Sequence, residues 1–272
     1  MPWSGVTQAP SLPGIYDSWT CVMGNTMISG TGQVSTYTNG VWSAVTQGPP
    51  QNSSGDTWVC VMGDTVISGT GQVSKYTNGI WSAVTQGPSL SGDLWRCVMM
   101  GNTVISGTGK VSTYTNGVWS GVTQGPLLSG DTWVCVMGNM LISNYGKVST
   151  YTNGVWSAAT QGPSLSGDYW NCVMGKMVVS GYGKVSTYTN GVWSAVTQGP
   201  PQQPEVLGAD DAWICVIGNM LISSYGHISI YTPSTGGTTG GTTGGTIPWG
   251  MILIGMIIIL FILLMWSWFQ MK

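Results

Sequence analysis

The pattern D-x-W-x-C carries most of the reactive side chains in this sequence, and it occurs six times. Its first position holds six of the nine acidic residues of the chain: Asp17, Asp56, Asp93, Asp131, Asp168 and Asp211. Carboxylates gathered in a ring could bind a cation or polar ligand, although like charges raise one another's pKa values unless they are bonded. An Asp in a loop also accepts backbone N–H groups. Two roles stay open: a structural one in each repeat, and a candidate ligand or cation ring.

The same pattern holds all six cysteines: Cys21, Cys60, Cys97, Cys135, Cys172 and Cys215. They share one position on a strand. Neighbouring packed sheets lie about 10 Å apart, whereas a disulfide needs Cα atoms within about 7 Å. One thiol per repeat also provides no tetrahedral metal cluster. We therefore predict buried free thiols that act as small core residues, with no disulfides, no metal and no cofactor.

Catalytic groups are scarce in the sequence. The only histidine, His227, aligns with Gln or Lys in the other repeats, so we expect an exposed turn residue rather than a general base. There is no nucleophile elbow, no phosphate-binding loop and no distinctive carboxylate pair. The sequence therefore predicts a protein that is not an enzyme.

Four short strands in each repeat must position these groups. One full repeat reads "DTWVCVMGNMLISNYGKVSTYTNGVWSAATQGPSLSG", residues 131–167. "TWVCVM" and "TVISGT" are separated by Gly-Asn or Gly-Asp, and "VSTYT" and "VWSAVT" are joined by Asn-Gly, a type I′ hairpin signal. Val, Thr, Ile, Tyr and Trp dominate these segments, as strands favour. An apolar run such as "WVCVM" is typical of a strand buried on both faces.

The two ends of the repeat array are complementary. Six repeats begin, but the sixth stops at "HISIYTPSTGG", and its missing last segment occurs at the N-terminus as "MPWSGVTQAP". Four-stranded units of about 40 residues indicate a β-propeller, whereas an open solenoid would carry distinct capping repeats. We therefore predict an all-β, six-bladed propeller over residues 1–232, closed by an N-terminal strand because residues 1–9 complete blade six.

The repeat resembles the kelch-type propeller repeat. "VISGTGKVSTYTNGVWSAVTQGP" is a composite of the aligned repeats, and it has that family's order: a small-residue turn after strand two, a Tyr in strand three, a Trp in strand four, then a Pro. The family's Gly-Gly pair is replaced by "SGTG" or "SNYG", and its basic residue before strand one by Asp. The resemblance spans residues 1–232; it implies the propeller architecture and indicates little about a ligand.

Aromatic residues form further rings. One Trp series opens the D-x-W-x-C strand and a second lies in strand four, and we assign both mainly to packing between blades. A Tyr recurs in strand three, and these residues are also candidates for sugar stacking in clefts between blades: Tyr37, Tyr76, Tyr114, Tyr151, Tyr188 and Tyr231.

Charge is sparse. The chain has seven basic and nine acidic residues and a net charge of −2. Without a Lys/Arg cluster the electrostatic footprint of nucleic-acid binding is missing, so we predict no nucleic-acid partner. Charge-poor exteriors rich in Ser, Thr and Tyr resemble those of surface and virion proteins from hot, acidic habitats.

A membrane anchor is predicted at the C-terminus. Residues 233–246 form a Thr/Gly-rich linker, and residues 247–269 are uncharged. As a helix this segment would be about 34 Å long, enough to cross a hydrocarbon core of about 30 Å. Trp249, Trp266 and Trp268 occupy the positions of aromatic belts, and residues 270–272 form a short tail. The lipid bilayer is therefore a predicted partner.

Two functions follow as hypotheses. The first is a non-enzymatic display propeller, a structural or decorating protein of a virion or extremophile envelope that contacts envelope or capsid proteins. The second is a multivalent lectin-like adhesin that binds glycans through repeated sites between blades. The composition favours a propeller outside the membrane. The N-terminus lacks the features of a signal peptide, which leaves a tail-anchored protein facing the cytoplasm as the alternative.

Overall fold

A computed structural model describes residues 3–14, 17–50, 55–99, 101–201 and 211–233, with the backbone alone at 97–99 and 215. Every regular element in these ranges is a β-strand, and none of the described residues forms a helix that could span a bilayer. The predicted linker after residue 233, the predicted transmembrane helix at 247–269 and the tail at 270–272 lie outside the described residues. Met1–Pro233 constitute one compact unit.

The innermost strand of each blade begins at the Trp of D-x-W-x-C. These strands are β2 (Trp19–Met23), β7 (Trp58–Met62), β12 (Trp95–Met99), β17 (Trp133–Met137), β22 (Trp170–Met174) and β27 (Trp213–Ile217). The second strands are β3 (Thr26–Ser29), β8 (Thr65–Ser68), β13 (Thr103–Ser106), β18 (Met140–Ser143), β23 (Met177–Ser180) and β28 (Met220–Ser223). The third strands are β4 (Gln33–Thr38), β9 (Gln72–Thr77), β14 (Lys110–Thr115), β19 (Lys147–Thr152), β24 (Lys184–Thr189) and β29 (His227–Ile230).

The outer edge of each blade differs from the single fourth strand that the sequence predicts, because it is split into two-residue strands. They are β1 (Thr7–Gln8), β5 (Val41–Trp42), β6 (Thr46–Gln47), β10 (Ile80–Trp81), β11 (Thr85–Gln86), β15 (Val118–Trp119), β16 (Thr123–Gln124), β20 (Val155–Trp156), β21 (Thr160–Gln161), β25 (Val192–Trp193) and β26 (Thr197–Gln198). In blade one, three residues at 43–45 face two of β4, so the ladder is interrupted. The Ser43 hydroxyl accepts the freed Thr36 N–H at 3.0 Å.

Each blade is an antiparallel meander, with the order β2-β3-β4-β5 in blade one and β6 paired to the same edge of β4. The turn before β5 has Asn39 at φ 51° and Gly40 at φ 85°. Two successive positive φ values are what a type I′ turn requires. The Asn-Gly signal in the sequence therefore specifies this hairpin, and it recurs in five blades.

The six blades form a closed ring. The backbone N–H of each inner-strand Trp donates to a carbonyl of the preceding blade, as from Trp58 to Gly30 at 3.1 Å. The equivalent bond between blade six and blade one runs from Trp19 to Ser224 at 3.0 Å. The described residues form a six-bladed, all-β propeller.

Blade six is completed by the N-terminal segment. Thr7 pairs with Ile228, Gln8 pairs with His227, and a separate bridge joins Trp3 to Tyr231. The Ser4 N–H donates to the Ile230 carbonyl at 2.9 Å. These contacts join residues more than 200 positions apart, so the two ends of the repeat array lie in one sheet.

The core lies between the blades. The six inner-strand tryptophans are fully buried and pack with aliphatic residues of the second strands. In blade four, the Trp133 indole N–H donates to the Pro126 carbonyl at 2.8 Å. Buried indole N–H groups usually find such a partner, although those of Trp19, Trp58 and Trp213 have none among the described residues; the Trp133 bond ties the loop from the previous blade to the core.

A β-bulge interrupts each inner strand between its Trp and its Cys. In blade four, Trp133 pairs with Ser143 and Cys135 pairs with Ile142, so Val134 is the extra residue. The same shift occurs in all six blades. A bulge redirects the side chain of its extra residue, and here these side chains line a central cavity.

Candidate functional site

The aspartates of D-x-W-x-C bond within their own blades. Asp168 is buried, and its carboxylate accepts hydrogen bonds from the Ser180 hydroxyl at 2.5 Å and from the Tyr169 N–H at 2.7 Å. Asp56 similarly accepts from the Thr57 N–H and from the Thr70 hydroxyl. Each carboxylate thus fastens the turn after the second strand to the start of the inner strand.

Each of the six aspartates has its hydrogen-bond partners within its own blade. Within the described residues, no group of three His, Cys, Asp or Glu side chains could hold a metal ion. At Asp93, burial raises the pKa, but hydrogen bonds from Ser106, Thr108 and backbone N–H groups outweigh it, so the net pKa is below its ordinary value. These bonds support the structural role of the carboxylates, and the candidate ligand or cation ring stays a prediction.

His227 differs from the exposed turn residue that the sequence predicts. It begins β29, its side chain is 20% exposed, and its Nδ1 lies 2.5 Å from Oδ2 of Asp211, whose side chain is fully buried. The Ser223 hydroxyl donates to Asp211 rather than to the imidazole, so the three residues do not have the arrangement of a catalytic triad. The expectation that the protein is not an enzyme stays a prediction.

The described cysteine side chains lie on the inner strands, as the repeat predicts. Cys21 and Cys172 are buried free thiols, and Cys60 and Cys135 are buried as well. Burial raises the pKa of Cys21 to about 12 and that of Cys172 to about 12. The side chains of Cys97 and Cys215 lie outside the described residues.

We expect Cys21 and Cys172 to resist alkylation in the folded protein. Only the thiolate reacts, and a pKa of about 12 leaves about one thiol in ten thousand ionised at pH 8. Iodoacetamide labelling followed by mass spectrometry should modify all six cysteines in guanidinium without reductant. Rapid native modification of Cys21 or Cys172, or an intramolecular disulfide, would contradict the assignment.

The candidate tyrosines each pair with the outer Trp of their own blade. The ring centroids lie 4.8 to 4.9 Å apart with the rings tilted, and the register places the two residues directly opposite each other. The pairs are Tyr37–Trp42, Tyr76–Trp81, Tyr114–Trp119, Tyr151–Trp156, Tyr188–Trp193 and, across the closure, Tyr231–Trp3. Each blade therefore presents one aromatic pair.

Two of these pairs, in blades three and four, line clefts between neighbouring blades. A cleft of about 240 Å³ lies between blades two and three, with Tyr114 and Trp119 on one wall. The cleft between blades three and four is about 400 Å³ and has Tyr151 and Trp156 on one wall. The opposite wall of this second cleft is polar: Asn102, Thr103, Thr113, Thr123 and Gln124.

The two Trp series have different environments, which the sequence does not predict. The inner-strand series is fully buried, whereas the outer series is partly exposed at the clefts. The polar wall of the cleft is likewise not predicted from the sequence. Thr85 and Gln86 of blade two and Thr123 and Gln124 of blade three occupy the same positions in their clefts. The repeated T-Q of strand four was the available signal.

No protein-family model matches the sequence, and no curated protein is significantly similar to it. Solved structures do resemble it. A YCF48 structure with a bound D1 peptide is 12% identical, with a TM-score of 0.48 over 85% of this chain and 95% of that one. YCF48 from Cyanidioschyzon merolae is 11% identical, with a TM-score of 0.45 over 85% and 100%. The WD40 propeller domain of Doa1 is 14% identical, with a TM-score of 0.40 over 85% and 98%. The likeness concerns the fold alone.

Proposed function

We propose that the protein is a non-enzymatic interaction scaffold whose repeated inter-blade clefts bind carbohydrate, displayed from a membrane by a C-terminal anchor. The propeller provides the scaffold. The observation that carries the ligand class is the pairing of a Tyr–Trp wall with a wall of hydroxyl and amide groups in one cleft. The anchor and the kelch-like type of repeat are parts of the proposal that come from the sequence.

The chemistry of the cleft fits a neutral polyhydroxyl ligand. Aromatic faces offer an apolar surface with defined geometry, and Thr, Asn and Gln side chains supply hydrogen-bond donors and acceptors. The cleft between blades three and four has no Lys, Arg, Asp or Glu among its lining residues. Ligand pockets commonly enclose about 300–1,000 Å³; the cleft of 400 Å³ lies within that range, and the cleft of 240 Å³ is smaller than it.

Repetition supports multivalent binding. The aromatic pair recurs six times around the ring, so a surface with closely spaced glycans could occupy several clefts at once. Linked weak sites gain about 100- to 10,000-fold in avidity without any new contact. Such a disc on the predicted flexible linker, residues 233–246, is suited to display on a virion or cell surface and to contact with neighbouring envelope proteins.

The test is a glycan array probed with the propeller, residues 1–233. We expect binding to immobilised glycans, and we expect replacement of the six cleft tyrosines by Leu to reduce it by roughly 100-fold or more, because avidity multiplies the loss at each site. Tyr114→Leu alone should have a much smaller effect. The signal is the array fluorescence as a function of protein concentration.

The matched control is Tyr145→Thr. Tyr145 is 58% exposed and lies outside the two described clefts, and the equivalent residues of blades one to three are Thr31, Thr70 and Thr108. This change removes an exposed Tyr in favour of a residue that the fold already accepts. Absence of glycan binding, or equal binding by the six-site variant, would overturn the proposal.

A further inference from the structure

A cavity of about 450 Å³ lies at the centre of the ring, enclosed by the inner strands of the six blades. Its wall is mixed: polar atoms make up about half of it, and seven of the thirteen lining residues are Val or Ile, four of them (Val22, Val61, Val173 and Val216) from the fourth position of the W-x-C-V-M strand. The thiol-bearing residues Cys21, Cys60 and Cys172 add to this wall. This cavity is separate from the clefts between the blades.

The bulge residue of each blade also faces the cavity, and its identity alternates around the ring. It is aliphatic in blades two, four and six, at Val59, Val134 and Ile214. It is polar in blades one, three and five, at Thr20, Arg96 and Asn171. Because alternate blades of a six-bladed ring are a third of a turn apart, three polar side chains converge on the axis from three directions.

Arg96 is the only arginine of the chain and the only charged residue that lines the cavity among the described residues. Neither of the ion pairs within the described ranges involves Arg96, and the neighbouring Asp93 carboxylate is bonded to the Thr108 hydroxyl and the Leu94 N–H. The guanidinium is therefore not neutralised by the D-x-W-x-C carboxylate of its own blade.

The two uncharged polar residues of the cavity, Asn171 and Thr20, can each form a further hydrogen bond. Asn171 donates from Nδ2 to the Trp213 carbonyl at 2.8 Å, which leaves a second amide N–H. Thr20 donates its hydroxyl to the Ile28 carbonyl at 3.2 Å, so its oxygen still accepts hydrogen bonds. The cavity thus combines one cation and one further donor with an aliphatic surround.

We propose that the central cavity binds a small organic carboxylate with an aliphatic body. The planar guanidinium of Arg96 pairs with the carboxylate, a geometry that Arg forms in a bidentate way. Asn171 donates to the same group, and the valines and Ile214 enclose the apolar body. A single cation beside aliphatic side chains suits a monoanion better than a phosphate, which carries more charge and has no apolar part.

The experiment is calorimetric titration of the full-length chain in mild non-ionic detergent. The probes are butanoate, hexanoate and octanoate, with octan-1-ol and inorganic phosphate for comparison. We expect saturable binding of the carboxylates, with affinity rising by about fourfold per buried methylene group. Octan-1-ol and phosphate should bind at least tenfold more weakly than octanoate.

Variants distinguish a specific role of Arg96 from a general effect of the protein's net charge. Arg96→Val installs the residue that blades two and four carry, so the fold accepts it, and it should weaken octanoate binding by roughly 10- to 100-fold. Lys147→Gln changes the net charge equally, installs the residue of blades one and two, and should bind as the parent does. Arg96→Lys should give an intermediate affinity because the planar fork is lost.

Thermal unfolding of each variant establishes that it is folded before the titration. Four results would overturn the proposal: no saturable octanoate binding, equal binding of octan-1-ol, tighter binding of phosphate, or an unchanged affinity in Arg96→Val. An equal loss in Lys147→Gln would show a general electrostatic effect and would also overturn it. Loss of glycan binding at the clefts would leave this proposal unaffected.

Discussion

A propeller that lacks residues 1–9 is expected to lose its cooperative unfolding transition and to aggregate. The deletion removes β1, the Trp3–Tyr231 ring contact and the pairing of Thr7 and Gln8 with β29. It leaves β29 as an unpaired edge, which is a template for association with other chains. Whole domains are stable by only about 5–15 kcal/mol, so the loss of one blade's outer edge is large on that scale. Calorimetry compares the unfolding transition of residues 10–233 with that of residues 1–233, and light scattering compares their aggregation.

A circular permutant provides the control for this deletion. Joining residue 232 to residue 2 through Asn-Gly, and starting the chain at Ser11, rebuilds blade six with the same hairpin turn as the other five blades. This permutant contains the deleted strand at a new chain position and should unfold cooperatively. A deletion variant that melts like residues 1–233 would contradict the closure of the ring through the N-terminal strand.

Gly146→Ala is expected to have the second largest effect, a loss of about 2–5 kcal/mol in the free energy of unfolding. Gly146 has φ 82°, and left-handed backbone costs about 1–2 kcal/mol for an L-residue. A Cβ there would also overlap the Pro163 carbonyl oxygen, and overpacking costs about 1–3 kcal/mol. That carbonyl accepts the Trp170 indole N–H at 2.6 Å, so the overlap strains the junction of blades four and five.

Gly154→Ala separates the two causes. Gly154 has φ 85°, but a Cβ there would meet nothing within 4 Å. Gly154→Ala should therefore lower the free energy of unfolding only by the cost of the left-handed backbone, about 1–2 kcal/mol. Urea unfolding of the two variants, with equal slopes, gives the difference directly. Equal losses for the two would show that contact with Pro163 contributes nothing.

Much of the architecture follows from local sequence. The Asn-Gly pairs, with Asn39 and Gly40 as one example, encode hairpins because both positions need positive φ. The matching fragments at Trp3 and Tyr231 predicted the strand exchange that the structure contains. Burial of Cys21 and Cys172 also follows from their place on the innermost strand. These features depend on the backbone preferences of individual residues and on the number of repeats, and both can be read from a single sequence.

Other features needed the folded backbone. The split of the outer strand arises from one extra residue near Ser43, and no sequence rule identified it. His227 occupies the position of Gln or Lys in other repeats, so its partial burial and its contact with Asp211 could not be read from a comparison of the repeats. The hydrogen bonds of Asp168 within its own blade, rather than across a ring of carboxylates, likewise depend on side-chain direction.

The sequence by itself determined the first three strands of each blade, the number of blades, the closure and the sparse charge. Period, turn residues and composition are local or additive properties of the chain. Only the tertiary structure decided which surfaces those strands share. It placed Tyr151 and Trp156 opposite a polar wall from the preceding blade, and it turned the bulge residues Thr20, Arg96 and Asn171 onto one axis. Clefts and cavities form between residues far apart in the chain, and their geometry depends on how the blades pack against one another.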